Sequence, residues 1–288
     1  MKDLLTPKQV AQAIGVSEAS LKRWCDKGLV RATRTEGGHR RLTLDDVMDF
    51  LRRSGRPIVS PEVLKLPPVR SLSERVSARS QDHLFDALIQ GDEARVHRIV
   101  FDLYLAKQSI CDIGDRVIAD TFRQIGDKWE CNELEPYEER RACEIFGRVL
   151  TQLRSVMPSI PETAPLAIGG TLEGDVYRVP TMLVELVLRE SGWRAESLGT
   201  GLPAPTLCAA IRDTKPNLFW LSVSHIPSVP QFLEHYSTIY DTAQQQQIPV
   251  VVGGRALEQS VRHEMSYTAF CDNLRHLVNF AKSRWPTA

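Results

Sequence analysis

Residues Thr6 to Leu42 read TPKQVAQAIGVSEASLKRWCDKGLVRATRTEGGHRRL, and the punctuation of that stretch decides the first domain. Thr6 followed three residues later by Gln9 is a capping box, with Pro7 at the first helical position, where its missing N–H loses no bond. The helix it opens runs through Val10, Ala11 and Ile14 and stops at Gly15. Ser17 caps a second helix, on which Leu21 and Trp24 share one face while Ser20, Lys22 and Arg23 lie off it. Two short helices joined by Ile14-Gly15-Val16 predict a helix-turn-helix.

Downstream, Gly37-Gly38 supplies the positive φ of a tight hairpin whose tip gathers Arg34, His39, Arg40 and Arg41. A basic hairpin beside a helix-turn-helix is a wing, suited to phosphates or a minor groove. Thr43 to Asp46 then cap a helix through Val47, Phe50 and Leu51 that packs the wing against the first two. Double-stranded DNA is the partner this chemistry expects, met by Ser17, Ser20, Lys22, Arg23, Arg34, His39, Arg40 and Arg41.

Charge supports that placement. The chain has 288 residues with 36 Lys+Arg against 36 Asp+Glu, yet residues 1–56 hold 12 basic against 7 acidic residues. Residues 81–157 hold 10 against 15, so the head is the place for a polyanion. Hydrophobic residues at 42% exclude disorder and fibre, and no apolar run reaches the ~18 residues of a membrane span. The opening residues Met1 to Pro7 lack the apolar core of a signal peptide, so a cytoplasmic protein is expected. Six scattered cysteines without a C-x-x-C pair read as reduced thiols, and no metal site is expected.

Residues 57–80, with Pro57, Pro61, Pro67 and Pro68 among five serines, read as a linker. A second boundary falls at Pro158–Pro165. Between them, apolar spacing predicts helices near 82–90, 92–107, 109–128 and 136–156, a four-helix bundle over 81–157. From 158 to 288 the pattern changes to short apolar runs at 166–168, 218–222 and 248–254, separated by helical stretches at 180–191, 204–213, 229–245 and 272–284. Weaker strands at 194–198 and 267–270 make five, a flavodoxin-like, doubly wound parallel sheet with ligands at the carboxyl ends of its strands. The expected protein is multidomain: a winged helix-turn-helix over 1–56, a linker, a helical bundle and an α/β domain.

With these residues in hand, the head resembles the winged helix-turn-helix of MerR-type regulators over residues 4–53. One departure is that the Pro-rich linker stands where typical members continue into a long pairing helix. Residues 81–284 resemble the cobalamin-binding module of methionine synthase and of the CarH-type light-responsive repressors. In that family a D-x-H-x-x-G motif carries the lower axial histidine of cobalt, and S-x-L and G-G motifs line the slot for the nucleotide tail. Here the aligned residues are Asp175-Val176-Tyr177-Arg178-Val179-Pro180, Ser222-Val223-Ser224 and Gly253-Gly254. Tyr177 stands at the histidine position, and a phenol of pKa about 10 is a poor replacement for neutral imidazole on cobalt. The family also places a tryptophan, nine residues, then Glu-His over the upper face of cobalamin; Trp129 is followed here by Glu139-Arg140. The bland alternative makes Trp129 bundle core and Glu139 a solvated helix residue.

The resemblance implies a transcriptional regulator, not an enzyme, whose sensor domain is cobalamin-binding-like but lacks cobalamin held through a histidine. Its cofactor is unknown. The alternatives are a regulator holding cobalamin without protein coordination, or another tetrapyrrole, and last a corrinoid-dependent methyltransferase subunit. Ligand-cleft candidates are Trp129, Glu139, Arg140, Asp175, Tyr177, Ser222, Ser224, His225, Gly253 and Gly254. His225 is the histidine expected at the cleft; His83, His97, His235, His263 and His276 read as surface or satisfied core residues. Homo-oligomerisation is expected through residues 81–288.

Overall fold

The computed structural model describes residues 4–35, 37–54, 61–64 and 77–285, which separate into two compact units. One comprises residues 1–109 and 116–159, the other residues 110–115 and 160–288. Most of the linker, including Pro57, Pro67 and Pro68, lies outside the described residues.

The first unit starts with β1 (Leu4–Leu5), α1 (Pro7–Ala13) and α2 (Glu18–Asp26). Thr6 and Gln9 close their capping box, Gln9 N–H donating to Thr6 Oγ1 at 3.2 Å and Thr6 N–H to Gln9 Oε1 at 2.9 Å. Strands β2 (Thr33–Arg34) and β3 (Arg40–Thr43) form an antiparallel hairpin, with β1 on the far side of β3. Gly38 sits at φ +76°, the left-handed conformation that the turn requires. Thr43 Oγ1 accepts from Asp46 N–H at 3.1 Å and so caps α3 (Leu44–Ser54), whose Phe50 meets Trp24 of α2 at 5.3 Å between ring centroids. Val10, Leu21, Val30, Leu42, Val47 and Leu51 close the core around these contacts.

Part of the expected linker is structured. Pro61–Leu64 forms a 3-10 turn that packs on α1 and buries Leu64, and the next helix, α4 (Ser77–Gln90), starts five residues earlier than its apolar pattern shows. Helices α5 (Glu93–Leu105), α7 (Ala119–Glu130) and α8 (Pro136–Val156) pack with α4 around Leu84, Leu88, Val96, Val100, Ile125, Phe146, Val149 and Leu150. Arg148 holds Glu93 bidentately across α5 and α8, which keeps the Glu93 carboxyl below its ordinary range.

The helix expected over 109–128 is divided. Its first turn, α6 (Ile110–Ile113), belongs to the second unit, and a π-helical turn at Gly114–Ile118 precedes α7. The contacts that claim α6 are polar and distant in sequence: Ile110 N–H donates to Glu190 at 2.8 Å, and Asp115 accepts from Leu274 and Arg275 N–H at 2.9 and 3.0 Å. Gly114 lets the two segments pack closely there, since a Cβ would stand 2.3 Å from the end of the Leu274 side chain and displace it.

The second unit is a parallel sheet of β4 (Leu166–Gly170), β5 (Arg194–Ser197), β6 (Leu218–Ser222), β7 (Val250–Gly253) and β8 (Ala269–Phe270) in the order β5-β4-β6-β7-β8. Helices α9 (Arg178–Glu190), α10 (Ala204–Thr214), α11 (Val229–Gln245) and a five-residue α12 (Gln259–His263) that the sequence pattern missed connect the strands in turn, and α13 (Leu274–Arg284) follows β8. Alternation along β6 sends Phe219 and Leu221 into the core shared with α10 and α11, while Trp220 points to α9, its Nε1 donating to Thr181 Oγ1 at 3.0 Å. The strand order reverses between β4 and β6, and the carboxyl ends of those two strands are the switch point of the fold.

Candidate functional site

In the head, the hairpin turn is held by Thr35 N–H to His39 O at 2.9 Å and Gly38 N–H to Thr35 O at 2.8 Å. The register pairs Arg34 with Arg40, so the two side chains share one face, and Arg41 points to the other. Arg34, His39 and Arg23 are exposed. Arg40 is not free: it reaches back to Asp26, the last residue of α2, at 2.5 Å. Lys22 pairs with Glu18 one turn away at 2.7 Å, an exposed contact that DNA phosphate can displace. Ser17 Oγ accepts from Ser20 N–H at 3.1 Å and so caps α2, and it donates to Ser20 Oγ at 2.9 Å. Asp26 is the residue that sequence reasoning missed, because its partner is fourteen positions away.

In the helical region, both bland readings fail. Trp129 is 41% exposed in the last turn of α7, so it is not core. Glu139 is half-buried and not freely solvated: its side chain is 16% exposed, accepts from Cys143 Sγ at 3.3 Å and has Arg140 Nε 3.7 Å away. Burial and that carboxylate push the Cys143 thiol up to about 12.

At the carboxyl edge of the sheet, Asp175 is 2% exposed and organises the loops. Its Oδ1 accepts from Tyr177 N–H at 3.1 Å, and its Oδ2 from Ser224 and His225 N–H at 2.6 and 3.3 Å. Burial pushes its carboxyl above the usual range against the pull of those three N–H groups. Thr171 adds a tie to the loop after β5 by accepting from Gly201 N–H at 2.9 Å. Tyr177 is the N-cap of α9, Pro180 lies in that helix's first turn, and the Tyr177 ring faces the Arg255 guanidinium at 6.0 Å. Gly253 and Gly254 allow close packing of backbone: a Cβ on Gly254, at φ +131°, would stand 2.1 Å from Val223 O.

A cavity of about 180 Å³ opens at the switch point, and Asp175, Ser222 and His225 line it together with Gly174. Tyr177, Ser224, Gly253 and Gly254 do not. His235, read from the sequence as a surface or core residue, lines the same cavity because the register of α11 turns it there. No helix among the described residues is long and apolar enough to cross a membrane.

Residues 4–55 match the helix-turn-helix domain family, and residues 80–154 match the B12 binding domain family. The HTH-type transcriptional repressor CarA of Myxococcus xanthus is 25% identical over 94% of either chain. The repressor CarH of the same organism is 25% identical over 96% of this chain and 94% of its own. Among solved structures, the monomethylamine corrinoid protein of Methanosarcina barkeri superposes with a TM-score of 0.61 at 18% identity, covering 72% of this chain and 99% of that one. The chain thus joins a helix-turn-helix domain to a B12-binding-type helical domain, ahead of a parallel α/β sheet.

Proposed function

We propose that the protein is a DNA-binding transcriptional regulator of the MerR type, with the β2–β3 hairpin as its wing and a cobalamin-binding-like sensor that does not hold cobalamin through a histidine. The observation that carries the first part is the basic hairpin docked on the helix-turn-helix, in a chain 25% identical over 94% of its length to a transcriptional repressor. A cytoplasmic regulator, not an enzyme, acting as an oligomer through residues 81–288, is the form this reading takes. The four packed helices are its bundle, and the flavodoxin-like sheet is its sensor scaffold.

Against a histidine-held corrinoid stand two observations on one sheet edge. Tyr177 at the aligned histidine position presents a phenol beside a guanidinium, an electropositive neighbour for any cation. The buried Trp220 indole fills the layer between β6 and α9, with Gly169 so close that a Cβ would meet the indole at 2.3 Å. These residues do not fit the group.

The DNA part is tested by binding to duplex from the protein's own promoter region across a salt series. Arg34→Ala and Arg41→Ala should weaken all sequences alike and flatten the salt slope by about one unit per lost phosphate contact. Unchanged slopes in both variants would remove the hairpin from the interface.

A further inference from the structure

We propose that the cavity at the β4–β6 switch point is a binding site for a small zwitterionic metabolite of the amino-acid type. The assignment rests on reading the α/β unit as the sensor and names what it senses. At about 180 Å³ the cavity is well below the ~300–1,000 Å³ that drug-sized ligands occupy, so its interior matches a molecule of amino-acid size.

Its two walls differ in chemistry. One wall is the loop after β6 and the first turns of α11, where Ser228, Gln231, Phe232 and His235 recur at the spacing of a single helix face, with His225 just ahead of them. A hydroxyl, an amide and two imidazoles all offer N–H or O–H donors, since an imidazole keeps at least one N–H in either protonation state. Phe232, 7% exposed, supplies the apolar floor. The facing wall is the loop after β4, which presents the exposed carboxylate of Glu173, an acceptor only. Donors on one side and a negative charge on the other are satisfied together by a carboxylate and an ammonium on one small molecule.

The wall that carries Glu173 is fixed before any ligand arrives. Its backbone bridges the next loop through Leu172 and Leu202, with Glu173 N–H on Leu202 O at 3.0 Å. Asp175 pins the segment two residues on, and Gly174 approaches Pro227 so closely that a Cβ would stand 2.5 Å from its ring. Preformed walls lower the ordering cost of binding, which is what a ligand with few atoms requires.

The test uses the full chain, thermal-shift measurement and a panel of the twenty common amino acids, each beside the matching amine and the matching carboxylic acid. At about 10 mM, where a site of millimolar Kd is close to saturated, at least one amino acid should raise Tm while its amine and acid do not. Glu173→Gln, an exposed change that leaves the loop bonds intact, and His235→Phe should each weaken that ligand at least about tenfold by calorimetry. A panel without any shift, or a shift undiminished in either variant, overturns the proposal. The parent protein and both variants should bind promoter DNA alike without added ligand; absence of DNA binding by the parent protein overturns the regulator reading, whatever the ligand panel shows.

Discussion

Asp175 shows how one buried carboxylate can line a cavity and tie two loops together at once. Three backbone N–H groups from two loops converge on it, so Asp175→Ala leaves three part-buried donors without that acceptor and should destabilise the protein by about 1–3 kcal/mol in urea unfolding. An equal midpoint in the variant would mean that the loops do not depend on it. The thiols make a second residue-level case. Burial pushes Cys111 and Cys271 up to about 11 and Cys143 to about 12, and Cys208 is buried, whereas Cys131 is exposed. Because the thiolate is the reactive form, iodoacetamide at pH 8 should label Cys131 first, and Cys131→Ser should abolish the fast phase. Fast labelling of Cys143 would contradict the burial described for it.

Elements were legible in the sequence where short-range chemistry decides them. Thr6, Ser17 and Thr43 announced three helix starts because a cap and its N–H lie three residues apart. The split at Gly114–Ile118 was not legible, since Ile110, Ile113, Val117 and Ile118 keep one apolar spacing across it. What decides the split is Glu190 and the start of α13, 80 and 159 positions away. The same limit hid the cavity role of His235 and the exposure of Trp129, both set by which neighbour covers a helix face. At the head, the Arg40 to Asp26 contact docks the hairpin on α2 and draws one arginine away from a polyanion. Asp26→Ala should therefore tighten DNA binding modestly and steepen its salt dependence. A weakened complex with an unchanged slope would make the pair a structural requirement of the hairpin.

For the whole molecule, the charge division and the two matched domains give a regulator whose DNA-binding end is basic and whose sensor end is not. Self-association should reside in residues 81–288, and light scattering on a fragment that starts at Ser77, where α4 begins, decides it. A monomeric fragment beside an oligomeric full chain would move the interface to the head or linker.

The most direct test of the central claim is gel retardation of the protein's own promoter region by the full chain, with and without adenosylcobalamin, in the dark and after illumination. The same specific, salt-sensitive shift in all four conditions is the predicted result. No specific shift in any of them, or a shift that requires adenosylcobalamin in the dark and is lost in light, would contradict it.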